Sequence, residues 1–153
     1  IDSASADFAR GSVGAGRGTV CFGLKGGIGS SSRLAGIGEK SYALGVLVQS
    51  NFGRMPDLVL GGKPVGSRIA EELAAPEAPE RGSIMVVVAT DAPLSSRQLG
   101  RVIRRATVGL VRCGSYMGHG SGRLRWFYHG KLDGLSRGPR WMPGAALPSR
   151  GPA

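Results

Sequence analysis

Gly82-Ser83-Ile84-Met85-Val86-Val87-Val88-Ala89-Thr90-Asp91-Ala92-Pro93-Leu94 is the stretch around which the fold is read. From Ile84 to Ala89 six consecutive apolar residues, three of them valine, make a run of strand length, and Asp91 to Pro93 supply the chemistry that ends it. The spacing predicts a strand of a layered sheet over 83–90. As bare sequence, the Gly82-Ser83 step between a Pro/Glu-rich linker and a strand is a loop end. A serine there has a second reading. Freed as an N-terminus, it carries a nucleophilic hydroxyl and its own α-amine as base on one residue.

Downstream, Leu99, Val102, Ile103, Ala106 and Leu110 recur at helical spacing, predicting a helix over 95–112. Ser95 or Ser96 is its N-cap and Gly114 its stop. Arg97, Arg101, Arg104, Arg105 and Arg112 fall mostly outside the apolar stripe and read as a solvated face rather than a nucleic-acid surface. Upstream, Tyr42 to Gln49 is nearly continuously apolar, as in a strand covered on both faces. Thr19 to Leu24 reads as a strand, Gly26 to Gly29 as a turn and Ser30 to Leu34 as the return strand. Leu58 to Val65 is a second hairpin. Residues 67–82, with Pro76, Pro79 and four Glu, read as a polar linker, briefly helical over 69–75. Asp91 reads as a turn or cap residue.

A chain of 153 residues is enough for one domain with a modest core. It begins with Ile1 rather than Met and reads as a central fragment. No apolar run approaches a membrane span and residues 1–30 lack a signal-peptide layout, so the expectation is a soluble cytoplasmic protein without membrane partners. Cys21 and Cys113 are too few for a disulfide framework and read as reduced core residues. The 27 glycines follow no collagen period and fit tight turns. Net charge is +10, but residues 123–153 hold six of the 20 basic and one of the 10 acidic residues. Half the excess therefore sits in the last fifth of the chain, not in a groove that would hold nucleic acid. That tail has both tryptophans, four of nine prolines and no sustained period after Tyr128; it reads as disordered or poorly packed.

Several other signals are weak. His119 and His129 lack metal-ligand spacing. Gly14-Ala15-Gly16 fails the dinucleotide fingerprint, and Gly62-Lys63 is followed by Pro64 rather than Ser or Thr, so no phosphate loop and no cofactor are expected.

Four segments together resemble peptidase family S58, the DmpA-type aminopeptidases that include β-peptidyl aminopeptidases. They are Val13-Gly14-Ala15-Gly16-Arg17-Gly18-Thr19-Val20-Cys21-Phe22-Gly23-Leu24-Lys25-Gly26-Gly27-Ile28-Gly29-Ser30-Ser31-Ser32-Arg33, then Val46-Leu47-Val48-Gln49-Ser50-Asn51-Phe52-Gly53, the Ser83 strand, and Gly118-His119-Gly120-Ser121-Gly122. They stand in family order. The resemblance implies an α/β fold, an αββα layered sandwich with two packed sheets, incomplete here. It implies a partial peptidase domain over 1–122 with self-cleavage between Gly82 and Ser83. The implied substrates are small peptides or amino-acid amides, and the complete protein is expected to be a homo-oligomer.

By the same resemblance, Ser83 is the nucleophile, Asn51 an oxyanion donor and Ser121 a second serine hydrogen-bonded to the nucleophile. Without it, Asn51 is a turn residue and Ser121 a loop serine. Loss of one oxyanion donor typically raises a barrier by ~2.7 to 4 kcal/mol. The ornithine acetyltransferases use threonine at the junction, which makes them a poorer match; a non-catalytic remnant or basic interaction module is the alternative from another class. The family continues GSG with an acidic residue, where this chain has Arg123, which cannot accept a hydrogen bond. A one-base shift at the Gly122 codon accounts for this. Arg123 to Leu132 can be encoded so that the shifted frame reads G-D-F-A-G-F-T-T-A-N, as the family does after its GSG. Residues 123–153 are thus expected to be a non-native tail.

Overall fold

The computed structural model describes residues 7–76, 79, 82–116 and 125–129. Its strands are β1 (Val20–Cys21), β2 (Leu24–Lys25), β3 (Gly27–Ile37), β4 (Lys40–Asn51), β5 (Val59–Leu60), β6 (Lys63–Pro64), β7 (Ser83–Thr90) and β8 (Arg125–His129). Its α-helices are α1 (Gly66–Glu72), α2 (Ser96–Arg104) and α3 (Ala106–Arg112). The main sheet has the order β3-β4-β7-β8; β3, β4 and β7 run antiparallel and β8 joins parallel to β7.

Alternation along β7 determines where the core sits. Ile84, Val86, Val88 and Thr90 are buried while Ser83, Met85, Val87 and Ala89 point to the other face. Ile84, Val86 and Val88 form one cluster with Phe22, Phe52, Leu58 and Ile103, and Leu44, Val46 and Val48 of β4, Ile69 of α1 and Val102, Ala106 and Leu110 of α2 and α3 pack against it. Each such side chain withdrawn from water contributes roughly 1.5–3 kcal/mol. Among the described residues the opposite face has no such layer: Leu34 is 77% and Met85 38% exposed. The strand expected over 42–49 is therefore present as the centre of β4, but only one of its faces is covered. The described residues thus form one four-stranded sheet with helices on one side, and two two-stranded hairpins, β1-β2 and β5-β6.

The predicted helix starts where its cap chemistry places it. Ser95 Oγ accepts from Gln98 N–H and Gln98 Oε1 accepts from Ser95 N–H, a reciprocal capping box. It is interrupted at Arg105, where the Thr107 hydroxyl donates to the Arg104 carbonyl at 2.6 Å and Arg105 N–H bonds three residues back to Val102, so α2 and α3 are separate elements. Asp91, read as a turn or cap residue, has its Oδ1 accepting from Ala43 N–H of β4, 48 residues away, and the helix that follows is capped by Ser95 instead.

Two expectations are corrected. The first turn of the glycine-rich segment is Phe22-Gly23, not Gly26 to Gly29. Both turn residues have positive φ, +51° and +72°, as a two-residue hairpin demands, and Phe22 is only 4% exposed, so core burial holds an otherwise unfavourable conformation. Gly26 to Gly29 instead enter β3, where Gly27 lies so close to the Gly11 carbonyl that a side chain would collide with it. Cys113 is exposed rather than core, because it caps α3 at the surface. In the tail, 125–129 pairs with β7, from Met85 opposite Arg125 to Ala89 opposite His129. An unpaired sheet edge takes up an extended segment through backbone groups alone, and Trp126-Phe127-Tyr128 favours that conformation.

Candidate active site

The β4–β7 register sets Asn51 directly opposite Ser83, each at the end of its strand. Directly opposed residues share a face, with Cβ atoms roughly 4.5–5.5 Å apart. That is the face without a helix layer. The side chains expected to act together are thus brought together by strand pairing between segments 32 residues apart. Ser83 Oγ makes no hydrogen bond to another described residue.

Asn51 is held by its oxygen. Val20 N–H donates to Asn51 Oδ1 at 3.0 Å, and since Val20 N–H can only donate, the atom it meets is the amide oxygen. The two N–H donors on Nδ2 have no hydrogen bond to another described residue.

Behind Asn51 the chain is fixed by packing. Phe22 N–H donates to the Phe52 carbonyl at 2.8 Å, and the two rings meet edge-to-face with centroids 5.2 Å apart. Gly53, at φ +87°, lies against the Phe22 ring, where a Cβ would fall 2.5 Å from a ring carbon. Gly82 is as tightly placed: a Cβ there would lie 2.2 Å from the Asn51 carbonyl oxygen and 2.5 Å from Phe52 Cα. The backbone approach between Gly82 and Asn51 requires glycine.

A cavity of about 630 Å³ opens beside this point, lined by Asn51 and Gly82 together with Val20, Met55, Ala70 and Pro76, among others. Its size and largely apolar wall suit a small organic ligand. Arg54, also on the wall, is paired bidentately with Asp57 at 2.9 and 3.2 Å, and its guanidinium lies 5.4 Å from the Tyr116 ring centre. Cys21 lies behind the site; burial pushes its thiol above the usual range, against smaller opposing effects of hydrogen bonds with Ser50 and the Phe52 backbone.

Of the residues singled out from sequence, Gly82, Ser83 and Asn51 converge. Ser121, His119 and Arg123 lie outside the described residues. Sequence reading missed Val20, whose contribution is a backbone N–H and leaves no residue-type signal. Among the described residues no three His, Cys, Asp or Glu side chains converge as a metal site would require, and no helix there is long and apolar enough to cross a membrane.

The structure superposes with TM-score 0.72 on the L-aminopeptidase D-Ala-esterase/amidase of Ochrobactrum anthropi, described as a prototype for the serine aminopeptidases and a new variant among the Ntn hydrolase fold; identity is 37%, over 83% of this chain and 34% of that one. A Burkholderia sp. β-aminopeptidase gives TM-score 0.69 at 37% identity, covering 92% of this chain and 38% of that one. The chain belongs to peptidase family S58, which residues 1–125 match. It is 45% identical over 135 residues to the β-peptidyl aminopeptidase BapA of Sphingosinicella microcystinivorans, covering 80% of this chain. The chain spans about a third of that relative's length, 34%.

Proposed function

We propose that this chain is the part of a self-processing serine aminopeptidase that carries the cleavage junction and the nucleophile. The Ser83 hydroxyl attacks the Gly82 carbonyl; the C–N bond breaks, the proton leaving Oγ passes to the nitrogen, and an ester joins Gly82 to Ser83 Oγ. Water then hydrolyses the ester, giving a Gly82 carboxylate and a Ser83 with free hydroxyl and free α-amine. Such an amine has a typical pKa of about 7.7–8.0 and shuttles protons near neutrality while Oγ attacks a substrate amide. Asn51 Nδ2 donates to the oxyanion of both steps, and Ser121 acts as the relay serine. Substrates are small peptides or amino-acid amides, β-amino-acid peptides included, in a complete protein that assembles as a homo-oligomer.

The observation that carries this reading is the opposition of Asn51 and Ser83 with Gly82 pressed against the Asn51 carbonyl. It supports the reading because the Asn51–Ser83 pairing and the Gly82 approach bring the three residues together. The uncovered sheet face limits what this chain does as written. Met85 and Leu34 stay exposed where family order and the frame reading supply further strands, and Arg123 replaces an acceptor with a cation. The chain as written is inactive and uncleaved. Terminal sequencing of the protein made with its upstream portion and with the frame restored after Gly122 tests the proposal: a product beginning Ser83-Ile84-Met85 supports it, and an intact chain or another start refutes it.

A further inference from the structure

We infer that Lys25 is a positioning residue for Asn51, an assignment that deepens the oxyanion reading above and rests on it for its catalytic consequence. Lys25 belongs to a two-residue strand whose residues are exposed, a place where a lysine ordinarily keeps its ammonium in water. Here Nζ instead donates to three backbone carbonyls, Gly16 at 2.8 Å, Thr19 at 3.0 Å and Gly26 at 2.8 Å. All three N–H donors are used, and every partner is a carbonyl.

The middle partner connects Lys25 to the site. The Thr19 carbonyl and the Val20 N–H are two ends of one rigid planar peptide group. Its oxygen is held by Lys25 Nζ and by Gly26 N–H at 2.9 Å; its N–H holds Asn51 Oδ1 at 3.0 Å. Fixing the oxygen fixes the direction of the N–H, and a cation on the oxygen polarises the peptide so that its N–H donates more strongly. The Thr19 side chain steadies the same unit, its hydroxyl donating to the Gly16 carbonyl at 3.0 Å. The ammonium thus sets the plane from which the Asn51 amide is held, with Nδ2 left for the oxyanion. A guanidinium does not replace it, because a planar fork cannot direct donors to three carbonyls around a single point.

The test reads the Val20–Asn51 bond directly. In the isotopically labelled chain, the scalar coupling across the hydrogen bond between Val20 ¹⁵N and Asn51 ¹³Cγ is measured with amide exchange at Val20, and Val86 in β7 reports on the fold. Lys25→Met should abolish the coupling and speed Val20 exchange by at least about tenfold while Val86 stays protected; Lys25→Arg should weaken the coupling. Unchanged coupling and exchange in a folded Lys25→Met overturn the proposal. Should that variant not fold, unchanged coupling in Lys25→Arg overturns it equally. In the complete, frame-restored enzyme, Lys25→Met should lower kcat for a peptide by about 10- to 100-fold with KM unchanged, the effect of a misplaced group. Failure of the parent protein to split at Ser83 would count against the catalytic reading, while the coupling still decides the role of Lys25.

Discussion

Asn51 and Ser83 stand directly opposite each other across the β4–β7 pair, so that the side-chain amide of one and the hydroxyl of the other share one face of the sheet. Their juxtaposition depends on strand register, and a one-residue slip would send either side chain to the helix-covered face. The two roles of Asn51 are separable by chemistry. Asn51→Asp keeps an oxygen to accept from Val20 N–H but removes both Nδ2 donors and adds a negative charge. Cleavage at Ser83 in the frame-restored protein should slow by about 10²–10³-fold, followed by mass spectrometry, with Val20 amide protection retained.

Gly82→Ala places a methyl group 2.2 Å from the Asn51 carbonyl oxygen, a contact that only backbone displacement can relieve. The expected outcome is about 1–3 kcal/mol of lost stability in urea titration together with loss of self-cleavage. Unchanged stability and cleavage would mean that the close approach is not needed.

Phe22 is 4% exposed, and its ring, which Phe22→Ala removes, meets Phe52 edge-to-face. Unfolding in urea should show a loss of about 3–5 kcal/mol. Since the ring also supports Gly53 and the segment after Asn51, amide exchange at Phe52 and Gly53 should rise more than at Val88.

Burial raises the Cys21 thiol above its usual range. At pH values below about 8.5 the thiol is neutral in folded and unfolded chains alike. As pH rises through the unfolded value the unfolded chain ionises first, so stability falls until the folded thiol ionises too. The urea midpoint should therefore decline between about pH 8 and 10 more steeply than in Cys21→Ala. Iodoacetamide should alkylate the exposed Cys113 before Cys21.

The parts of the fold governed by local rules were legible in the sequence. The apolar run of β7, the centre of β4, the capping box at Ser95 and the Gly61-Gly62 hairpin all follow from periodicity or turn chemistry acting within a few residues. The Phe22-Gly23 turn was hidden because phenylalanine is a poor residue for positive φ, and only packing against Phe52, 30 residues away, holds it there. The hold on Asn51 by Val20 and Lys25 was hidden for a related reason. It runs through a backbone peptide, and nothing in residue type reports where a carbonyl points. The pairing of 125–129 with β7 reflects an available edge, which becomes visible only once the sheet is assembled.

The most direct measurement is the intact mass and N-terminal sequence of the protein expressed with its upstream portion in two versions, one as written and one with the reading frame restored after Gly122, alongside Ser83→Ala. The account predicts that the restored version alone splits, giving one product that ends at Gly82 and another that begins Ser83-Ile84-Met85, and that Ser83→Ala stays whole. A restored protein that remains intact, a cut at any other bond, or cleavage that survives Ser83→Ala would contradict it.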